Sequence, residues 1–277
     1  MVDAGQAADE FATSLPHQAG DVMNCPYVHV PYNHRVDLQE AAAVFFLTAF
    51  AATAQSVTGF GFGLVVIPFL VLVLGPRDAV VLSTMLGTSL SVLMLLQLRS
   101  QVPWRPATIA ITGAIIGSPV GLVVLVSLNK DVLQVAIAIA VLVATALLIR
   151  GYRVPAGGDT GPLIAGFIGG VTRMTAGLPG PPVVLYFKAS GLTPELQRAA
   201  VTAFFVVTGI AGAALFAGQG SLDRHLAALA LVGVPAIVVG WLTGGKLFTR
   251  IEPGLFSAIV YVMLVGSSVL AIATALT

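Results

Sequence analysis

Arg173 lies inside one of the longest apolar stretches of this chain, and a backbone-breaking segment, "GLPGPP" at residues 177–182, follows it directly. A cation buried without a partner is costly in a membrane. Broken backbone at membrane depth leaves N–H and C=O groups that lipid cannot satisfy, so it occurs where protein or a wet cavity surrounds it. The combination predicts an anion-binding site in which the guanidinium contacts an oxyanion through two parallel hydrogen bonds.

A second glycine-rich break, "GFGFG" at residues 59–63, follows the polar side chains of Gln55, Ser56 and Thr58. The helix after each break points its N-terminus inward, where free N–H groups and the positive end of the helix dipole favour an anion. Glycines let the backbone approach a ligand, and proline suits the first turn of a helix. The predicted substrate-binding residues are Arg173, Gln55, Thr58, Gly59, Gly61, Gly63, Thr172, Thr175, Gly177, Gly180 and Pro181.

Each of these assignments has a structural alternative. Arg173 could extend to the membrane surface or bind helix-terminal carbonyls, and each hydroxyl could bond to its own helix backbone. Ser83 and Thr84, on the next apolar segment, are predicted to face neighbouring helices rather than the anion. The sequence argues against an intramembrane enzyme, because no His, Cys, Asp or Glu is predicted to lie deep enough to supply a nucleophile–base pair or metal ligands.

The composition is that of a membrane protein. Hydrophobic residues make up 57% of the chain and charged residues 9%, whereas soluble domains carry about 25% charged residues. The fold class is therefore predicted to be all-α, a polytopic, multi-pass membrane protein placed in the bacterial inner membrane. Apolar runs predict helices at about 38–75, 79–98, 107–128, 131–150, 161–189, 196–217, 225–248 and 253–276,.

Other partners are not indicated by the sequence. The net charge of +1 carries no nucleic-acid signature,. The single cysteine, Cys25, excludes an intramolecular disulfide, and its spacing from His29 and His34 matches no zinc pattern,. We therefore predict no metal and no cofactor; the expected partners are a small anionic substrate and the lipid bilayer, with monomer and homodimer both left open.

The two halves of the chain resemble each other. Shifting the first half by 118 residues, the distance from Gly59 to Gly177, places Pro76 on Pro194 and Gln55 on Arg173. A single helix over 38–75 would be about 55 Å long against a hydrocarbon core of about 30 Å, so this first segment must be broken. We predict a polar tail (1–37), a first repeat (38–150), a linker (151–160) and a second repeat (161–277), each repeat having four segments and opening with a broken helix or helical hairpin.

Charge counting favours an inverted arrangement. If each broken segment folds back as a hairpin, the Lys and Arg residues outside the spans divide eight against four between the two sides; if each crosses once, they divide six against six. The positive-inside rule prefers the uneven division. Its rich side holds Arg99, Arg105, Arg150, Arg153, Lys188, Arg198, Lys246 and Arg250. Two small-residue ridges, predicted to pack helices closely, are Gly113, Gly117 and Gly121 in the first half and Gly240 and Gly244 in the second.

The paired motifs "TGFGFGLVVIPFL" and "TAGLPGPPVVLYF" in repeated four-segment halves resemble the TauE/SafE sulfite exporter family, also called the toluene-sulfonate uptake permease family. The resemblance covers about residues 38–276. It implies transport, mostly export, of sulfur-containing anions such as sulfite and organosulfonates. The sequence thus predicts a secondary transporter that binds such an anion between two broken helices near the membrane midplane. The alternatives are an importer of organosulfonates or other organic anions, and a passive anion channel.

Overall fold

The computed structural model describes residues 37–150 and 158–247, and in these ranges all regular secondary structure is helical, without strands. The predicted all-α class is confirmed. The helices are α1 (Leu38–Thr58), α2 (Phe62–Leu74), α3 (Pro76–Leu98), α4 (Trp104–Ser127), α5 (Lys130–Arg150), α6 (Thr160–Ala176), α7 (Gly180–Ala189), α8 (Pro194–Gly218) and α9 (Arg224–Leu247), with a 3-10 turn at Arg99–Gln101. The predicted tail up to residue 36, with its cysteine and histidines, and the predicted last helix lie outside the described residues.

Five of these helices are long and apolar enough to cross a bilayer: α1, α3, α4, α8 and α9. Many of their large apolar side chains point outward, including Phe46, Ile116 and Leu231, which are 70%, 58% and 73% exposed. A soluble monomer rarely exposes such contiguous apolar surface. The chain is therefore a polytopic membrane protein, and these side chains are suited to contact with lipid.

Helix starts are set by caps rather than by hydropathy. We predicted starts near residues 79 and 196, but α3 begins at Pro76 and α8 at Pro194. Proline at the first helical position loses no hydrogen bond, and the hydroxyl of Thr193 accepts a hydrogen bond from the N–H of Leu196. The charged first turns were left out of the predicted spans because their side chains are polar, although their backbone is helical.

Both long segments are interrupted, as expected. The first break covers residues 59–61 and the second covers residues 177–179. Gly59, Gly61 and Gly177 have φ values of 83°, 101° and 65°, which L-residues with side chains rarely adopt,. Both breaks are shorter than predicted, because Gly63 already belongs to α2 and α7 already begins at Gly180.

The starts of α1, α3 and α9 lie at one end of the bundle, called here the Glu40 end. His225 Nε2 lies 2.9 Å from Glu40 Oε2, and Asp78 interacts electrostatically with both. Only one residue, Gly75, joins α2 to α3. The chain therefore returns from the first break to the end at which α1 began.

The second interrupted segment starts at the opposite end, called here the Arg105 end. Arg77 Nη2 donates to the carbonyl of Leu128 at 3.0 Å, so α4 finishes at the Glu40 end and starts at the other. Arg105 pairs with Asp159 at 3.4 Å beside the start of α6. The end of α7 comes back to the same place, because a Cβ built on Gly161 would lie 2.6 Å from the ring of Tyr186.

Two glycine seams join helices that are distant in sequence. α4 packs against α6, and α9 packs against α1. A Cβ on Gly117 would collide with the carbonyl oxygen of Phe167, and one on Gly240 would collide with that of Ala49. The predicted role of both ridges in close packing is confirmed, since each glycine gives backbone-to-backbone contact.

Replacing Gly117 with alanine should destabilise the protein by about 1–3 kcal/mol, because the added methyl group forces α4 away from α6. The matched control is Gly218→Ala, at a helical glycine where a new Cβ meets nothing within 4 Å. Thermal unfolding in detergent measures the difference. Equal unfolding temperatures for the two variants would contradict the seam.

Candidate functional site

A small cavity lies where the two breaks meet. Its volume is about 30 Å³, whereas one water molecule needs about 10–15 Å³ on the same measure. The start of α2 touches the second break, because a Cβ on Gly63 would collide with the carbonyl oxygen of Gly177. Four parts of the chain line the cavity: Gln55 and Gly61 to Leu64; Ser83, Thr84, Gly87 and Ser91; Arg173 and Gly177 to Pro181; and Phe205.

Arg173 is buried in the wall of this cavity, with only 4% of its surface exposed. Its Nη2 donates to the carbonyl oxygen of Phe205 at 3.3 Å, and its guanidinium carbon lies 5.8 Å from the centre of the Phe205 ring. Among the described residues no carboxylate lies within ion-pair distance of it. The carbonyl and the ring stabilise the positive charge, but neither carries a negative charge that would neutralise it.

Two buried polar atoms of the lining have no hydrogen-bond partner in the described part of the chain. They are Nε of Arg173 and Oγ1 of Thr84. Buried polar atoms without partners are rare in folded proteins, and each needs an explanation. Both groups are hydrogen-bond donors, Nε of Arg173 a charged one and the Thr84 hydroxyl a neutral one,.

Gln55 holds the first break together. Its Nε2 donates to Ser91 Oγ at 3.1 Å, and its Oε1 accepts from the N–H of Phe62 at 3.3 Å. The side chain thereby ties α1 to α3 and satisfies an N–H of the first turn of α2. It lines the cavity but its amide is already bonded on both sides.

The two helix starts at the cavity differ in what they offer. In α2, the early N–H groups of Gly63 and Leu64 have no partner within the helix,. At the start of α7, the N-cap residue Pro179 and the helical residues Pro181 and Pro182 lack an N–H, so that of these four consecutive residues only Gly180 retains one. We expected similar donors from both starts, and the second start supplies far fewer.

The structure brings most of the predicted residues to this cavity. Those that line it are Arg173, Gln55, Gly61, Gly63, Gly177, Gly180 and Pro181. Thr58 and Gly59 line a second cavity instead. Thr172 and Thr175 line neither of these two cavities.

The three predicted threonines bond to backbone carbonyls. Thr172 Oγ1 donates to Leu178 O at 2.8 Å and so braces the second break. Thr175 bonds to the carbonyl of Val171 in its own helix at 2.8 Å. Thr58 bonds to Ala54 O at 2.9 Å and also contacts the carbonyl oxygen of Phe60. All three hydroxyls bond to the backbone of their own helix, which is the alternative that the sequence left open, and those of Thr58 and Thr172 also contact carbonyls in the breaks.

Sequence reasoning missed several lining residues. Ser83 and Thr84 were predicted to pack against other helices, and Gly87, Ser91 and Phe205 were not considered as ligands. Ser83 and Thr84 did carry a usable signal, because they lie on the apolar segment that comes next after the first broken one. Phe205 carried none, since one phenylalanine in a long apolar helix looks like any core residue.

The family model described as "Sulfite exporter TauE/SafE" matches residues 44–271 of the chain. Both breaks and every residue of the cavity fall inside this range. No curated protein and no solved structure matches the chain.

Replacing Arg173 with methionine should stabilise the protein in buffer without anions, because it removes a buried cation that has no counter-charge. Methionine has similar length and fills irregular space in apolar surroundings. Thermal unfolding in detergent measures this, with Arg105→Met as control, since the Arg105 side chain is 83% exposed. Unfolding of Arg173→Met at a lower temperature than the native protein would show instead that the cation is structural.

Proposed function

Because the chain belongs to the TauE/SafE sulfite exporter family, whose members are membrane transporters and not enzymes, we propose that it exports a small sulfur-containing anion such as sulfite or an organosulfonate through the cavity at Arg173. Family membership supplies the class of substrate, and the helices supply the multi-pass membrane setting. The burial of the Arg173 guanidinium without a carboxylate is the single observation that carries the proposed site.

The cavity chemistry supports an oxyanion as ligand. The free Nε of Arg173 is a charged donor, Thr84 adds a hydroxyl, and the first turns of α2 and α7 add backbone N–H groups. Sulfite and sulfonate groups carry several acceptor oxygens on one centre, so they can engage these donors together. A bound anion would also neutralise the guanidinium, which is costly to bury alone.

The small volume favours a compact ligand in this conformation. About 30 Å³ holds the equivalent of roughly two or three water molecules,. An inorganic anion such as sulfite is close to that scale. An organosulfonate would need the two breaks to separate further, which makes sulfite the first ligand to test.

We assign the chain an inverted repeat that alternates access to this cavity, and several contacts support it. The backbone carbonyl oxygens of Gln55 and Arg173 each accept a hydrogen bond from the N–H of the glycine that follows their helix, at 2.7 Å from Gly59 and 2.9 Å from Gly177. The segments that contain them start at opposite ends of the bundle. In transporters with such repeats, the site lies near the midplane between discontinuous helices.

The charge distribution supports a cytoplasmic location for the Arg105 end, in a bacterial inner membrane. That end carries the larger share of Lys and Arg outside the spans,. An inside-negative potential then favours anion exit by about 2.3 kcal/mol per charge at 100 mV. Export toward the Glu40 end follows from this orientation.

Arg173→Lys should lower sulfite transport by about tenfold or more, since a lysine keeps the charge but loses the planar fork of donors. The measurement is the initial rate of sulfite efflux from proteoliposomes with an imposed potential, together with thermal stabilisation by sulfite, sulfoacetate, sulfate, taurine and acetate. Arg105→Lys, at an exposed position, is the control. Unchanged transport and unchanged stabilisation in Arg173→Lys would remove this residue from the site.

Imposed potentials of both signs test the direction and the alternatives. Faster net movement out of the compartment that the Arg105 end faces supports export. Preferred movement the other way would identify an importer, and rates that never saturate with sulfite would identify a channel.

Gly180→Leu should abolish transport with little effect on folding. A Cβ on Gly180 meets the Phe205 ring at 3.4 Å, an ordinary contact, so the rest of a leucine side chain would extend into the cavity,. Gly218→Leu, in open space, is the control. Normal flux in a well-folded Gly180→Leu protein would place the anion path elsewhere.

A further inference from the structure

We propose that a second cavity, whose charged lining residue is Arg198, is a second binding site for the transported anion on its way from the Arg105 end to Arg173. The inference rests on the proposed function, and it adds a separate site with its own residues. The cavity has a volume of about 100 Å³, and its polar lining comes from Thr58, Gln197 and Arg198 beside Gly59 and Phe60.

Arg198 brings an incompletely satisfied cation to this cavity. Its Nη2 donates to the carbonyl oxygen of Ser56 at 2.7 Å, in the last turn of α1. Its Nε is buried and has no hydrogen-bond partner among the described residues, and no described carboxylate lies within ion-pair distance of it. The guanidinium therefore has a donor and a net charge left for a ligand after it has capped the helix.

The first break is shaped to receive this side chain. A Cβ on Gly59 would lie 2.8 Å from Cγ of Arg198, so only a glycine lets the arginine stem cross the break at this point. The φ of 83° at Gly59 is a second reason for glycine at this residue, because side chains disfavour that backbone conformation,. The close approach brings the arginine beside Thr58 and Phe60, which also line the cavity.

The second cavity lies nearer to the Arg105 end than the first one does. Arg198 follows the start of α8 by about 6 Å along the helix, while Arg173 follows the start of α6 by about 20 Å. Both helices start at the Arg105 end. Thr58 and Pro194, which line the second cavity, are exposed. An anion that arrives from this end would meet Arg198 before Arg173.

Phe60 borders the second cavity and lies close to the lining of the first. It lines the second one, and its Cβ is 4.0 Å from a Cβ built on Gly180, which lines the first. Glycines with positive φ, Gly59 and Gly61, flank it on both sides. The backbone can rotate at these two residues more readily than at any residue with a side chain, so Phe60 is placed to separate the cavities and to move aside.

The two volumes imply a stepwise loss of water. A cavity of about 100 Å³ accepts an anion with several water molecules, whereas about 30 Å³ leaves room for little more than the anion itself,. Arg198 would hold the hydrated ion, and the buried Arg173 would offset the cost of removing its water. Anions that dehydrate at greater cost would be held back at the second cavity.

Gln197→Glu tests this site by placing a carboxylate of the same size next to Arg198 in the lining. We expect the sulfite concentration that half-saturates efflux to rise about tenfold, since the local positive charge is neutralised. Thermal stabilisation by sulfite in the Arg173 cavity should remain. Gln101→Glu is the matched control, because it adds the same charge at an exposed residue that lines neither cavity.

Arg198→Lys is a second variant, which keeps the positive charge but loses the planar, forked set of N–H donors. It should raise the half-saturating sulfite concentration by a smaller factor than Gln197→Glu does. Efflux by Gln197→Glu that matches Gln101→Glu at every sulfite concentration would overturn the second site. The proposed function fails on a different result, namely unchanged sulfite transport and stabilisation in Arg173→Lys. The two failures are therefore distinguishable.

Discussion

The arrangement of both breaks follows from one constraint, the burial of the Arg173 guanidinium beside backbone that cannot bond within a helix. Lipid can satisfy neither the charge nor the open peptide groups. The Phe205 carbonyl and ring stabilise part of the charge of Arg173. At the first break, the Gln55 amide accepts a hydrogen bond from the N–H of Phe62. Fewer N–H groups need partners at the start of α7, because its N-cap and two residues of its first turn are prolines, which have no N–H,.

Close backbone approach keeps the cavity small. The start of α2 and the second break come this close because Gly63 has no side chain to collide with the Gly177 carbonyl oxygen and Gly177 has none to collide with the Ile67 side chain. A larger residue at either position would separate α2 from α6 and widen the space around the guanidinium. A tight space excludes water, and an ion pair in such surroundings is stronger than one in water. The proposed selectivity for an anion therefore depends on glycine at these two positions.

The sequence predicted those parts of the candidate site that are costly in a membrane segment. It did not predict the residues that are common in such a segment. Arg173 and both breaks are conspicuous, because charge and open backbone are costly in an apolar segment. Ser91 and Phe205 are ordinary residues for a membrane helix, and only the crossing of α1, α3 and α8 brings them to the cavity. Helix starts were missed by a few residues, as at Pro76, because capping geometry is not encoded in hydropathy.

The glycine seams determine which helices can shift relative to one another. α4 and α6 come from different halves of the chain, as do α1 and α9, yet Gly117 and Gly240 bring their backbones into direct contact. Interdigitated backbones of this kind resist shear, because any displacement along the seam drives Cα atoms into carbonyl oxygens. The mechanical units are therefore mixed pairs, each with one helix from either half. Any relative movement of helices would therefore have to carry α4 together with α6 and α1 together with α9.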